Sequence, residues 1–112
     1  MEESILISIK KLLGLTKEYT NFDTDIIIHI NTAFMNLNQL GVGPSKCFRI
    51  EDDKNTWDEF LEDSEKFDAV KTYIYLKVKL VFDPPLNSAI LEANKQTLTE
   101  LEWRLNVQAE SQ

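Results

Sequence analysis

Tyr73-Ile74-Tyr75-Leu76-Lys77-Val78-Lys79-Leu80-Val81-Phe82 is an apolar run interrupted only by two lysines. It stops at Asp83-Pro84-Pro85, and a second amphipathic segment follows, ending in Glu100-Leu101-Glu102-Trp103-Arg104-Leu105. The alternation Leu76-Lys77-Val78-Lys79-Leu80 also fits a β-strand, and the residues are β-prone. Three features favour a helix: the length of the segment from Lys66 to Phe82, the absence of an internal breaker, and the abrupt stop at the diproline. Phe67, Val70, Tyr73, Ile74, Lys77, Leu80 and Val81 would then share one broad face. Tyr75, Leu76, Val78 and Phe82 fall elsewhere, so the helix is apolar nearly all round and needs several neighbours to bury it. The second segment starts at an Asn87 or Ser88 cap and runs to about Val107. Leu91, Asn94, Leu98, Leu101 and Leu105 form its seam, with Ile90 and Thr97 beside it and Trp103 opposite. The expected core is two helices folded back about the proline corner.

Upstream, Ile5, Leu6, Ile9, Leu12 and Leu13 have helical spacing, and Lys10 and Lys11 sit late, where the helix dipole favours cations. Gly14 suits the left-handed C′ position, with Leu15 folding back on the last turn. Thr16 to Asn21 reads as a loop. A further helix begins with Asp23 as N-cap, and Phe22 and Ile27 are placed for a hydrophobic staple. Ile26, Ile30, Ala33, Leu37 and Leu40 form its stripe, widened by Ile27 and Phe34. Gly41-Val42-Gly43-Pro44 ends it. Residues 45–55 lack periodicity and read as an irregular or hairpin-like loop. Thr56 and Glu59 form a capping box for a short helix bearing Trp57, Phe60 and Leu61 and ending at Asp63-Ser64. The fold class is therefore mainly α: a small antiparallel bundle of about four helices plus one short helix. Residues 1–107 make one domain, and 108–112 form a polar tail.

Composition narrows the function. The chain has 112 residues, 43% hydrophobic and 28% charged, with net charge −7 and a sequence pI of about 4.6. That size predicts one domain with a single modest core. Gripping DNA needs clustered Lys and Arg, and there is no such cluster. The acids crowd the middle instead: Glu51, Asp52, Asp53, Asp58, Glu59, Glu62, Asp63, Glu65 and Asp68. No register of this segment provides the Gly and Glu of a calcium loop, so it reads as a solvated acidic face. One Cys excludes an internal disulfide framework and fits a reducing compartment. No apolar stretch reaches the roughly 20 residues that span a bilayer, and the N-terminus is acidic where a secretory signal is basic. The expectation is a soluble intracellular protein.

No catalytic set emerges. His29 is the single histidine, so no histidine pair can hold a metal, and it reads as structural or surface. Cys47 has no base placed near it and reads as an inert thiol. Gly41-Val42-Gly43-Pro44 follows a helix and precedes a proline, which is the wrong context for phosphate binding. No enzyme activity, cofactor or metal is expected. Ile28 and Met35 lie one heptad apart, off the stripe, and Trp103 lies off its seam. Such residues fit equally a contact with an arm of the same chain or a subunit interface, where Trp is a common anchor. With Phe48, Tyr75 and Val107 they are the candidate interface positions.

Six segments, in this order and spacing, resemble the small head–tail connector (head-completion or adaptor) proteins of long-tailed phages and Gram-positive prophages. They are Ile-Lys-x-Leu-Leu-Gly (Ile9 to Gly14), Phe22-Asp23-x-x-Ile26, Asn38-Gln39-Leu40-Gly41-Val42-Gly43-Pro44, Thr56-Trp57-x-x-Phe60-Leu61, Tyr75 to Pro85, and Glu100 to Leu105. One departure is Cys47 before Phe48, where the family pattern carries Gly. The resemblance implies a non-enzymatic virion part that forms a homo-oligomeric ring under the portal protein. Such a ring extends the DNA channel without specific DNA binding and docks further head-completion or tail proteins. It implies no membrane partner, and a location in the virion, with host cytoplasm during assembly. The alternative is a small monomeric or dimeric protein-binding regulatory module of a phage or prophage.

Overall fold

In the computed structural model, residues 4–42, 48–60, 64–82 and 84–110 are described. Within them the chain forms five helices and no strands, a mainly α fold. The order is α1 (Ile5–Leu12), α2 (Asp23–Gln39), α3 (Trp57–Phe60), α4 (Ser64–Phe82) and α5 (Ser88–Glu110). The ambiguous run at 73–82 is helical, the outcome its length and diproline stop favour. The Cα trace measures 40 × 35 × 20 Å, a slab about two helix diameters thick.

α4 lies at the centre, packed against α2, α5 and α1. Its Val70, Tyr73, Ile74, Leu76 and Val78 are all buried, so it is enclosed from several sides, as its composition requires. α2 contributes Ile26, Ile30, Ala33, Phe34 and Leu37 to the same core, and α5 contributes Leu98 and Leu105. Val81 departs from the expectation of a buried face: it is 63% exposed. The reason is its position at the mouth of an open groove between α2, α4 and α5. α5 reaches Glu110, three residues beyond the expected end.

The helix ends follow local chemistry. Ser4 Oγ caps α1 by accepting from the Ile7 N–H at 3.2 Å. At its other end Gly14 has φ +86°. The Gly14 and Leu15 N–H groups donate to the Lys11 and Lys10 carbonyls, which is the paired pattern that a left-handed C′ residue permits. α2 ends the same way: the Gly41 and Val42 N–H groups donate to the Asn38 and Leu37 carbonyls. Asn87 Oδ1 accepts from Ala89 and Ile90 and so caps α5.

Asp23 does not serve as the expected N-cap. It is the first residue of α2, Phe22 occupies the cap position, and no side chain caps the helix. The Asp23 carboxylate instead pairs with Lys10 Nζ at 2.8 Å, a lysine only 1% exposed. A buried ammonium needs a counter-charge more than a helix end needs a cap, and an acid in the first turn still complements the dipole. Phe22 thus stands at the cap itself, one position later than a staple residue, and its ring packs against Tyr19 and Phe82. The capping box at Thr56 forms in one direction: Glu59 Oε2 accepts from the Thr56 N–H at 2.6 Å, while the Glu59 N–H takes the Thr56 backbone carbonyl.

Candidate functional site

The described part of the 45–55 loop, residues 48–55, is an irregular arm without a ladder of its own. α2 holds it through one side chain. Asn31 Oδ1 accepts from the Ile50 N–H at 2.7 Å, and Asn31 Nδ2 donates to the Ile50 carbonyl at 3.0 Å. This pairing lets the Ile50 backbone enter the core without orphaned polar groups. Farther along, Asn55 Oδ1 accepts from Glu51, and Asp52 Oδ1 from Lys54. The Asn55 carbonyl takes the Ile5 N–H, tying the arm to the start of α1. The Trp57 indole N–H donates to Ser8 Oγ at 2.9 Å, and Ser8 Oγ donates to the Ile5 carbonyl. Cys47 and Pro44 lie outside the described residues.

This clasp builds a surface that the sequence signals only in part. Ile28 and Met35 are 55% and 48% exposed. With Asn31, Thr32, Phe48 and Arg49 they line one hollow of about 330 Å³. Three of the six candidate interface residues therefore meet at one place. Phe48 is half-buried, its ring set edge-on to Phe34 at 5.0 Å and tilted against Phe60 at 5.4 Å. It forms the wall between hollow and core. The clasp was not read from the sequence, although Asn31 sits three residues after Ile28 and four before Met35, hence on the same helical face.

The other candidates lie on different elements. Trp103 is 66% exposed and stands on the outer face of α5 with Glu92, Lys95, Gln96, Thr99 and Glu100. Val107, one turn on, is also exposed. Exposed ion pairs flank the Trp: Glu100–Arg104 at 2.6 Å and Glu92–Lys95 at 3.8 Å. Tyr75 is half-buried against the edge of the core. The structure thus gathers Ile28, Met35 and Phe48, sets Trp103 and Val107 apart on α5, and leaves Tyr75 at the margin.

Behind these surfaces, α4 and α5 share a polar contact. The fully buried Tyr73 donates its hydroxyl to Glu102 Oε2 at 2.8 Å. Burial, then the hydrogen bond and negative charge of Glu102, push the Tyr73 hydroxyl well above the ordinary tyrosine range, against a smaller opposing effect of Asn36. Lys77 Nζ stands 5.9 Å from the Tyr73 ring centre. His29 is half-buried and lines the groove with Thr32, Lys77, Leu80, Val81 and Leu98. No group of three or more potential metal ligands occurs among the described residues, and no helix there is long and apolar enough to cross a membrane.

Among the open features of this helical slab are an apolar hollow and a tryptophan ridge, which equip it to meet other proteins. The chain belongs to the phage connector protein family, whose model matches residues 5–112. It is a head–tail connector, with a structural role as a virion component among other phage head and tail proteins. No curated protein and no solved structure matches the chain.

Proposed function

We propose that this connector assembles as a ring beneath the phage portal in the host cytoplasm, extends the DNA channel, and docks the next head-completion or tail protein. The observation that carries the reading is the presence of two separate apolar surfaces on different elements of one small chain: Ile28, Met35 and Phe48 around α2, and Trp103 and Val107 on α5. A closed ring joins unlike faces of neighbouring subunits, so each subunit needs two. Tyr75, half-buried, supplies at most a rim contact. The net charge of −7 supports a channel that DNA traverses without adhering, since DNA retention rests on cationic contacts to phosphate.

Native mass spectrometry of the chain, alone and with the portal of the same phage, tests the proposal. Binding of several copies per portal is expected, whether or not the free chain is monomeric. A chain that stays strictly monomeric and ignores the portal refutes it.

A further inference from the structure

We propose, resting on the ring reading above, that the ridge of one copy fills the hollow of the next: the Trp103 indole enters between Ile28, Met35 and Phe48 of its neighbour. The occupant follows from what the hollow has left to offer. Asn31 is held by Ile50 through both ends of its amide, and Ile28, Met35 and Phe48 make up the apolar part of the lining, so the walls ask mainly for an apolar body. Thr32 Oγ1 gives its proton to the Ile28 carbonyl at 3.0 Å. Its oxygen therefore retains lone pairs and acts at the hollow as an acceptor. Arg49 is exposed and pairs with no carboxylate among the described residues. The volume, about 330 Å³, is that of roughly ten waters, enough for an aromatic side chain.

The complementary partner is thus an aromatic side chain with one hydrogen-bond donor and a carboxylate nearby. Trp103 with Glu100 meets this description. The indole N–H is a donor only, and Glu100 lies three residues before Trp103 on the same helical face. Among the described residues Glu100 is held by an exposed pair with Arg104, and such pairs exchange at little cost. In the docked pair Trp103 Nε1 donates to Thr32 Oγ1, and Glu100 meets Arg49. The contact is heterologous: it leaves one copy with a free hollow and its neighbour with a free ridge, which is the condition for a ring.

Disulfide trapping in phage heads tests this pairing. In a Cys47→Ser background, which removes the chain's one cysteine, Met35→Cys and Thr99→Cys are introduced singly and together. Oxidation of heads carrying the double variant is expected to give a ladder of linked connectors, and the single variants none. Dimers from Thr99→Cys alone would mean that ridges meet each other, overturning the pairing. Heads that contain the connector but give no product from the double variant also overturn it, while leaving the ring reading intact. Absence of the wild-type chain from heads counts against the ring reading itself. A second measurement is independent of cysteine. Arg49→Glu and Glu100→Arg are each expected to weaken assembly on the portal about tenfold, and the double reversal to restore it. Trp103→Ala is expected to cost about 30-fold, as for a buried aromatic anchor. Reversals that add without restoring refute the Arg49–Glu100 contact and with it the docking geometry.

Discussion

Asn31 is the residue on which the arm depends, and Asn31→Ala is the most informative single change. The substitution removes two hydrogen bonds of 2.7 and 3.0 Å to Ile50, a residue with no solvent exposure. Each orphaned backbone group costs about 1–3 kcal/mol. Asn31 is itself half-buried, so water can reach part of the vacated space and recover some of that loss. The expected destabilisation is about 2–4 kcal/mol, a fall in Tm of roughly 10 °C or more for a chain of this size. Urea unfolding followed by fluorescence reads it well, because Trp57 is buried and Trp103 exposed, so the red shift on unfolding reports Trp57. Hydrogen exchange supplies the local readout: the Ile50 amide, protected in the parent, should exchange much faster in Asn31→Ala. Thr32→Ala, at the adjacent exposed position, should stay within about 0.5 kcal/mol of the parent. An Asn31→Ala protein as stable as the parent, with the Ile50 amide still protected, would refute the clasp and the hollow built on it.

Other expectations follow from the same physics. Tyr73→Phe removes a group whose folded pKa lies above its unfolded value near 10. The unfolded chain loses that proton first, so the parent should lose up to about 1.4 kcal/mol of stability per pH unit above pH 10, until the folded pKa is reached. Denaturation at pH 9 and 11 should show Tyr73→Phe lacking this part of the decline; equal slopes contradict the raised pKa, and with it first the burial of the hydroxyl and then its contact with Glu102. Lys10→Met keeps the buried stem but leaves Asp23, three-quarters shielded, without its cation. It should destabilise by about 2–3 kcal/mol, and Lys10→Met/Asp23→Asn should recover part of that loss in the same assay. Gly14→Ala meets no atom within 4 Å, so its cost is that of a Cβ at positive φ, about 1 kcal/mol. A melt unchanged by Gly14→Ala would mean that α1 ends in another conformation.

The path of the backbone was largely legible in the sequence because it depends on short-range constraints. Helical periodicity marks Ile26 to Leu37 as a buried stripe. Gly14 and Gly41 mark two helix ends because a left-handed residue favours glycine there. Asn87 marks a start because its side chain reaches the free N–H groups of its own helix. The apolar circumference of α4 likewise announces burial from several sides. The spacing of six segments, from Ile9 to Leu105, carries the connector family, which the match over residues 5–112 establishes.

Long-range pairings were not legible. Asp23 has the composition of a cap, yet Lys10, thirteen residues earlier, takes its carboxylate. Val81 has the spacing of a core residue, yet it stands at the mouth of a groove formed by three separated helices. The exposed apolar residues could be recognised singly from periodicity. Their grouping, with Ile28, Met35 and Phe48 around one hollow, depends on where Asn31 anchors the arm, and it sets them apart from Trp103 on the outer face of α5. Helix ends and apolar stripes are decided within a few residues, by propensity and capping, so the amino-acid order alone determines them. Which carboxylate meets a buried lysine, and which side chains share a hollow, are decided by burial across the whole chain, and only the tertiary structure settles that competition.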